Sequence, residues 1–227
     1  MSNVNPFERQ DVAQAYDSWY DTPLGQTVDC LEKALIGRLA RPIAGETALD
    51  VGTGTGHFAR FLADTGLRVT GVDTSEAMLA QARAHHPDIT FQRADAGDMP
   101  FAAESFDLVL SVTMLEFAED PQQAVAEMVR VTKRGGRVVL GLLNASSPWT
   151  RAREVEAEQH DTPYSHAHYF TAAEMVTLLG RHGRVRWSSA VFVGPTGRGL
   201  RIAGAFEMLG QAVFRRHGAL LVGRVDR

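Results

Sequence analysis

From Thr47 onward, short apolar runs alternate with stretches in which apolar residues return every three or four positions. Runs of the first kind predict strands. Stretches of the second kind predict helices, whose faces repeat about every 3.6 residues. Strands are expected at Thr47 to Val51, Leu67 to Val72, Ile89 to Arg93, Phe106 to Val112, Arg137 to Leu142, Val185 to Val193 and Ala219 to Val225. The unbroken run from Phe106 to Val112 suits a central strand of a parallel sheet, which is buried on both faces. Helices are expected through Phe58, Phe61 and Leu62, over Ser75 to Ala84 with Ser75 as cap, and over Pro121 to Val131, ended by Gly135 and Gly136. Another is expected over Thr171 to His182, where Thr171 and Glu174 have capping-box spacing. Repeated strand–helix units predict an α/β fold on a doubly wound parallel sheet, with ligands at the carboxyl ends of the strands.

Three regions fall outside this rhythm. Phe7 to Leu24 interleaves aromatics with acids (Tyr16, Asp17, Trp19, Tyr20, Asp21), and Val28, Leu31, Leu35 and Leu39 follow at helical spacing before Pro42 and Gly45. Asn144 to Tyr169 reads as irregular and polar, and a connection of that length is often functional. Leu200 to Arg216 reads as an amphipathic helix with Ile202, Phe206, Leu209 and Val213 on one face. That face is expected to pack on the sheet, with a pocket cap or a homodimer face as alternatives.

The 227 residues are 44% hydrophobic and 22% charged, enough for a continuous core and unlike a disordered chain. The net charge of −4 and the absence of a clustered basic patch argue against a nucleic-acid partner. Arg198, Arg201, Arg215, Arg216 and Arg224 are read as solvated surface. Cys30, the single cysteine, is read as a small residue packed in a helix, and it fits a reducing compartment. A polar start from Ser2 to Gln10, with no apolar run behind it, predicts no signal peptide. No stretch approaches the roughly 20 apolar residues of a membrane span, so a cytoplasmic location is expected.

The chemistry concentrates in Ala48-Leu49-Asp50-Val51-Gly52-Thr53-Gly54-Thr55-Gly56-His57, which follows a predicted strand and opens a predicted helix. Gly52 and Gly54 allow a tight turn and close approach to a ligand, and Gly56 allows close helix–strand packing. The helix N-terminus adds free N–H groups and about half a positive charge. A carboxylate at Asp50 can receive the amino group of a cationic amino-acid ligand. Asp73, at the end of the second strand, can accept both hydroxyls of an unphosphorylated ribose. A dinucleotide loop would read Gly-x-Gly-x-x-Gly, whose last position here is His57. The spacing therefore favours a ligand without a pyrophosphate over a nicotinamide cofactor. A tight turn with no ligand is the alternative.

These motifs carry a resemblance. Asp50 to Gly56, Val72 to Met78, Ala94-Asp95-Ala96 and Ser105 to Val109 resemble, in order and spacing, the motifs of class I S-adenosylmethionine (SAM)-dependent methyltransferases. Within that family the chain is similar to the small-molecule, type 11 branch that includes the ubiquinone and menaquinone methyltransferases. The resemblance runs from about Tyr16 to Arg186. It implies a Rossmann-like seven-stranded sheet, mostly parallel with an antiparallel C-terminal strand, and helices on both faces. It also implies a single domain over residues 1–227. Residues 1–40 would form a lid, 46–143 the cofactor core, 144–170 a variable substrate-side segment, and 171–227 the completion of the sheet. By resemblance, Gly52, Thr53, Gly54 and Gly56 would hold the methionine part of SAM and Asp73 the ribose. Thr74, Met78, Asp95 and Ala96 would surround the adenine. Ser111 would lie beside the methionine moiety, and Tyr16 would belong to the lid. Two departures stand out. Lys133-Arg134-Gly135-Gly136 replaces the Lys-Pro-Gly-Gly common in the family, and Thr113 to Phe117 lacks the His pair of many relatives.

Methyl transfer from a sulfonium needs alignment and exclusion of water, and it needs a general base only if the acceptor keeps its proton near neutral pH. No catalytic residue is therefore assigned from the motifs. Candidates to face the acceptor are Trp19, Tyr20, Thr113, Glu116 and His166. A solvated helix-start acid is the alternative for Glu116, and plain packing is the alternative for Thr113 and Met114. His160, His166 and His168 lack the defined spacing of a metal site, so no metal is expected. The leading expectation is methyl transfer from SAM to a small molecule. The alternatives are an RNA or protein methyltransferase and a SAM-binding module without catalysis.

Overall fold

The computed structural model describes residues 6–160 and 162–227. Seven strands form one sheet in the order β3-β2-β1-β4-β5-β7-β6. They are β1 (Thr47–Val51), β2 (Arg68–Asp73), β3 (Thr90–Arg93), β4 (Phe106–Val112), β5 (Thr132–Leu143), β6 (Val185–Ala190) and β7 (Leu220–Asp226). The first five run parallel, and β7 pairs antiparallel with both β5 and β6. The strand order reverses between β1 and β4, and that reversal opens the crevice where α/β sheets bind ligands.

Alternation along each strand sends side chains to two helix layers. In β4, Leu108, Leu110 and Val112 meet α2 (Pro23–Ala40), which follows the short α1 (Gln10–Ala15), through Val28, Leu35 and Ile36, and α3 (His57–Asp64) through Leu62. On the other face Val109 meets Val125 and Met128 of α5 (Pro121–Val131) and Met175 and Leu179 of α7 (Ala172–Gly180). Ala59 of α3 packs with Leu79 and Ala82 of α4 (Glu76–His85) and with Phe91. Helix starts follow local chemistry. The Thr22 hydroxyl accepts from Gly25 N ahead of α2, Asp120 accepts from Gln122 N and Gln123 N, and Thr171 and Glu174 close their capping box.

The structure differs from the sequence pattern in five places. Gly135 and Gly136 do not separate α5 from a strand starting at Arg137. Helix α5 runs directly into β5, which begins at Thr132 and carries a register irregularity opposite Phe106 to Leu108. The sixth strand ends at Ala190, and Val191 follows with a positive φ of 67°. The 144–170 segment holds a helix, α6 (Pro148–Ala157), started by the Ser147 cap and by proline in its first turn. Cys30 is exposed, not packed. The region from Leu200 to Arg216 contains α8 (Ala203–Val213), and Ile202, Phe206, Leu209 and Val213 face solvent. The buried face of α8 is Ala203, Glu207 and Gly210, because Glu207 accepts hydrogen bonds from Val191 N and Phe192 N.

Candidate functional site

The turn leaving β1 uses glycine where a side chain would be costly. Gly52, Gly54 and Gly56 have φ of 73°, 54° and 87°, a region L side chains rarely adopt. Gly52 N and Thr53 N both donate to Val72 O, at 2.8 and 2.9 Å, which folds the loop onto the end of β2. A Cβ on Gly52 would lie 2.2 Å from Met114 Cγ, so the loop is pressed against the turn after β4. A Cβ on Gly56 would strike His86 and Phe91 at 2.8 and 2.9 Å. Gly54 has no heavy atom within 4 Å of that position, so its face of the loop is open.

Two carboxylates flank the loop. Asp50 is 2% exposed and accepts from Thr53 Oγ1 at 2.7 Å. Burial pushes its carboxyl up to about 7, against the Thr53 bond and with help from the charge of Asp73. Asp73 is half-buried. Its Oδ2 accepts from Gly54 N at 2.8 Å and its Oδ1 from Ser75 N at 2.9 Å. Burial raises Asp73 above the usual carboxylate range while those amide bonds oppose it. With the Thr74 amide also bonded to it, the carboxylate still keeps acceptor capacity for a further donor. Ser111, fully inside, donates to Val51 O at 2.8 Å and ties the ends of β1 and β4 together.

The N-terminal segment closes over this loop. Thr55 Oγ1 donates to Asp17 Oδ1 at 2.7 Å. The Tyr20 ring stacks on His57 with centroids 3.8 Å apart and planes at 4°. His57 Nε2 lies 2.6 Å from Asp29 Oδ1 of α2. Phe7 packs edge-on against Phe117 and Tyr16, and its carbonyl accepts from Ser75 Oγ at 2.7 Å. Trp19 sits at the rim, 37% exposed, edge-on to Trp149 of α6.

Beyond the loop, the turn after β4 and the segment after β5 meet, and His168 N donates to Glu116 O at 2.8 Å. Thr113 has a φ of 50°, unusual for a β-branched residue and a mark of stored strain. Glu116 is 2% exposed, so it is not a solvated acid. Its Oε1 accepts from Leu143 N at 2.5 Å, and its Oε2 has no hydrogen-bond partner. Burial pushes the Glu116 carboxyl up to about 7 against that amide bond. Arg153 of α6 stands over the rings of Trp149 and Tyr164, at 5.7 and 5.2 Å, and its Nη1 is buried without a partner. The Arg153 charge reaches Glu32, Glu116 and Tyr164, all gathered around it. Burial and neighbouring Asp29 push Glu32 up to about 8, with Arg153 opposing. Burial also raises Tyr16, Tyr20 and Tyr164.

The methyltransferase-domain family model matches residues 49–140. An uncharacterized protein of Methanocaldococcus jannaschii is 32% identical over 180 residues, 79% of this chain and 81% of that protein. The demethylmenaquinone methyltransferase of Renibacterium salmoninarum is 40% identical over 131 residues, 57% of this chain and 54% of that enzyme. The chain thus spans little more than half of the menaquinone enzyme's length. Among solved structures, a SAM-dependent methyltransferase from Thermotoga maritima superposes with TM-score 0.74 at 23% identity, covering 95% of this chain and 96% of that one. The chain belongs to the class I SAM-dependent methyltransferases. SAM is its cofactor.

In this methyltransferase the residues expected around the cofactor fall in one arc. Asp50, Gly52 to Gly56, Asp73, Thr74 and Ser111 lie on the carboxyl ends of β1, β2 and β4, with Tyr16 in the turn Tyr16–Asp21 beside them. Met78 is buried in α4, and Asp95 is exposed, with its Oδ1 accepting from Gly97 N. Ala96 packs at the edge of the core. Among the acceptor candidates, Thr113 and Glu116 turn inward, Tyr20 is held on His57, Trp19 lies at the rim, and His166 is exposed. Tyr164, two residues before His166, faces Arg153 and tilts against Phe117. Arg153 and Glu32 were not anticipated from sequence. The Ser147-Pro148 helix start would have revealed α6 and placed Arg153 one turn after Trp149.

Proposed function

We propose that this methyltransferase moves a methyl group from SAM to a small-molecule acceptor by in-line displacement. The observation that carries this reading is a pair of buried polar atoms left without partners. Glu116 Oε2 and Arg153 Nη1 are both buried and unpartnered, and Arg153 stands over the rings of Trp149 and Tyr164. A protein or RNA chain needs an open groove with satisfied polar walls, whereas a small molecule can be swallowed whole. The relative named as a demethylmenaquinone methyltransferase supports the same class of acceptor.

The residues present fit the cofactor. Asp50 is a buried carboxylate with no cationic partner, suited to the ammonium of an amino acid. The open face of Gly54 admits a ligand against backbone, and Asp73 retains acceptor capacity for ribose hydroxyls. Bound SAM supplies an electrophilic methyl on a sulfonium. The remaining work falls to the chain. Gly52, Thr53, Gly54 and Gly56 shape the loop, Thr74, Met78, Asp95 and Ala96 flank the base, and Ser111 fixes the strand ends. Tyr16 and Tyr20 exclude water and hold the acceptor in line. Such alignment lowers a barrier because the orientational entropy is lost on binding and not at the transition state.

The test is an assay with methyl-labelled SAM and separate pools of small metabolites, transfer RNA and protein. Label in the small-molecule fraction supports the reading. Label in RNA or protein overturns it in favour of a macromolecular acceptor. Tight SAM binding with no label in any pool leaves a binding module without catalysis.

A further inference from the structure

We propose that Arg153 is the anion receptor of the acceptor pocket, and that the acceptor is a small aromatic acid. Its carboxylate meets the guanidinium, and its reacting hydroxyl faces Glu116. This deepens the small-molecule reading and rests on it.

The argument starts from unsatisfied groups. A buried guanidinium N–H without an acceptor and a buried carboxylate oxygen without a donor are both costly. Here they occur together, Nη1 of Arg153 and Oε2 of Glu116. They belong to different elements, α6 and the turn Leu115–Phe117, and are not bonded to each other. A ligand with an oxyanion at one end and a hydroxyl at the other satisfies both at once. The guanidinium is presented between Trp149 and Tyr164, and that aromatic frame also suits a flat ring. A cationic amine would satisfy Glu116 but would leave Arg153 unpaired and be repelled by it. Burial holds Glu32 and Glu116 near or above neutrality, so Arg153 dominates the charge of the pocket at pH 7.

The chemistry balances. The hydroxyl oxygen forms a bond to the methyl carbon as the carbon–sulfur bond breaks. The electron pair of that bond stays on sulfur, giving a neutral thioether. The hydroxyl proton passes to the ionised form of Glu116 at Oε2 and then to solvent. A general base with a pKa near the working pH is suited to that transfer.

The experiment is calorimetric titration of protein loaded with S-adenosylhomocysteine, using 3- and 4-hydroxybenzoate, phenol and tyramine as probes. The expected result is that at least one hydroxybenzoate binds more tightly than phenol or tyramine. Arg153→Met should weaken it at least 30-fold, Arg153→Lys should weaken it less, and neither should change S-adenosylhomocysteine affinity more than twofold. Tighter binding of tyramine, no hydroxybenzoate binding, or an Arg153→Met protein that binds hydroxybenzoate normally would each overturn the proposal. Failure of S-adenosylhomocysteine itself to bind would strike the cofactor reading beneath it.

A different observation carries a second inference. Helix α8 is inside out. Its one acid is buried, while Phe206, Met208, Leu209 and Val213 are 41, 75, 55 and 63% exposed. Between Gly194 and His217 the chain has Arg198, Arg201, Arg215 and Arg216 and no acid except Glu207. Among the described residues no helix is long and apolar enough to cross a membrane. An exposed apolar stripe flanked along the chain by exposed Arg198, Arg201, Arg215 and Arg216 is the pattern of a helix lying in the surface of an anionic bilayer. A twofold contact between copies through this face would bring the same arginines together, so we infer an anionic lipid surface and not a second copy as its occupant. Co-sedimentation with phosphatidylglycerol–phosphatidylcholine vesicles tests it. Expected are binding at low salt, loss at 0.5 M salt or with pure phosphatidylcholine, and at least tenfold weakening by Met208→Ser with Val213→Ser. Absence of vesicle binding, or a dimer in light scattering that the same variant dissolves, overturns it.

Discussion

The two ends of the same strands treat buried charge in opposite ways. At the amino end, Arg137 is 5% exposed and fully engaged. Its guanidinium pairs with both Glu46 oxygens, at 2.8 and 2.6 Å, and donates to Ala40 O and Arg41 O. Asp107 beside it accepts from Thr47 and Lys133. Burial alone would raise Asp107, but those bonds outweigh it and hold the carboxyl at about 2. At the carboxyl end, Asp50 and Glu116 are pushed up to about 7, and Glu116 Oε2 and Arg153 Nη1 have no partner. One end has its buried charges paired, and the other leaves two buried polar atoms without a partner. Fold and function thus sit on opposite edges of one sheet.

The sharpest way to break this contrast is at the amino end. Arg137→Met leaves half-buried Glu46 and the Ala40 and Arg41 carbonyls without their donor and should destabilise the fold by about 2–3 kcal/mol. The variant's folded fraction should still bind S-adenosylhomocysteine normally. Thermal denaturation with titration at low temperature checks both, and a lost affinity in folded protein would break the division of labour. The next effect belongs to Asp73. Asp73→Asn keeps one acceptor but sets an amide against Gly54 N or Ser75 N, so SAM affinity should fall 10–100-fold. Alanine there would also release the glycine loop, so asparagine is the cleaner probe.

The two ends should also respond oppositely to pH. Asp107 contributes stability above its ordinary value of 3.8, and that contribution is lost as pH falls through about 2. Asp50 and Glu116 favour the folded state below their ordinary 3.8 and 4.5, and this is lost as pH rises through about 7. Ligand-free protein should therefore lose stability between about pH 4 and 7 and level off above, and Asp50→Asn should lessen the loss. A denaturant series across that range decides, and a native curve that rises toward about pH 7 contradicts the sign. The smallest effect separates two glycines. Gly45 and Gly54 both have positive φ and open space at Cβ. Alanine at either should cost about 1 kcal/mol of stability, but only Gly54→Ala should weaken SAM binding.

The glycine loop after β1 was legible because its residues are consecutive. Asp50 to Gly56 is a single turn, and Asp73 ends the next strand, so order and spacing carry the geometry. The cluster around Arg153 was legible only in part: Tyr16 and Glu116 stood out, but Glu32, Arg153 and Tyr164 join them only when five separate segments pack. His166 was the candidate in the 144–170 segment, yet it is Tyr164 that faces Arg153. Periodicity found the apolar stripe of α8 but not its direction. Direction was set by Glu207, which is drawn inside to cap the amides at the strained Val191 turn. The early start of β5 was hidden for a related reason, since the glycines that read as a break are accommodated within the strand.

The central proposal is that Asp50 and Asp73, at the carboxyl end, hold the cofactor. Titrating SAM and NADH into native protein and into Asp50→Asn tests it most directly. The account predicts micromolar SAM binding, about −8 kcal/mol, no NADH binding, and at least a tenfold loss in Asp50→Asn with an unchanged fold. SAM affinity that survives the substitution intact, or NADH binding that matches it, would contradict the account.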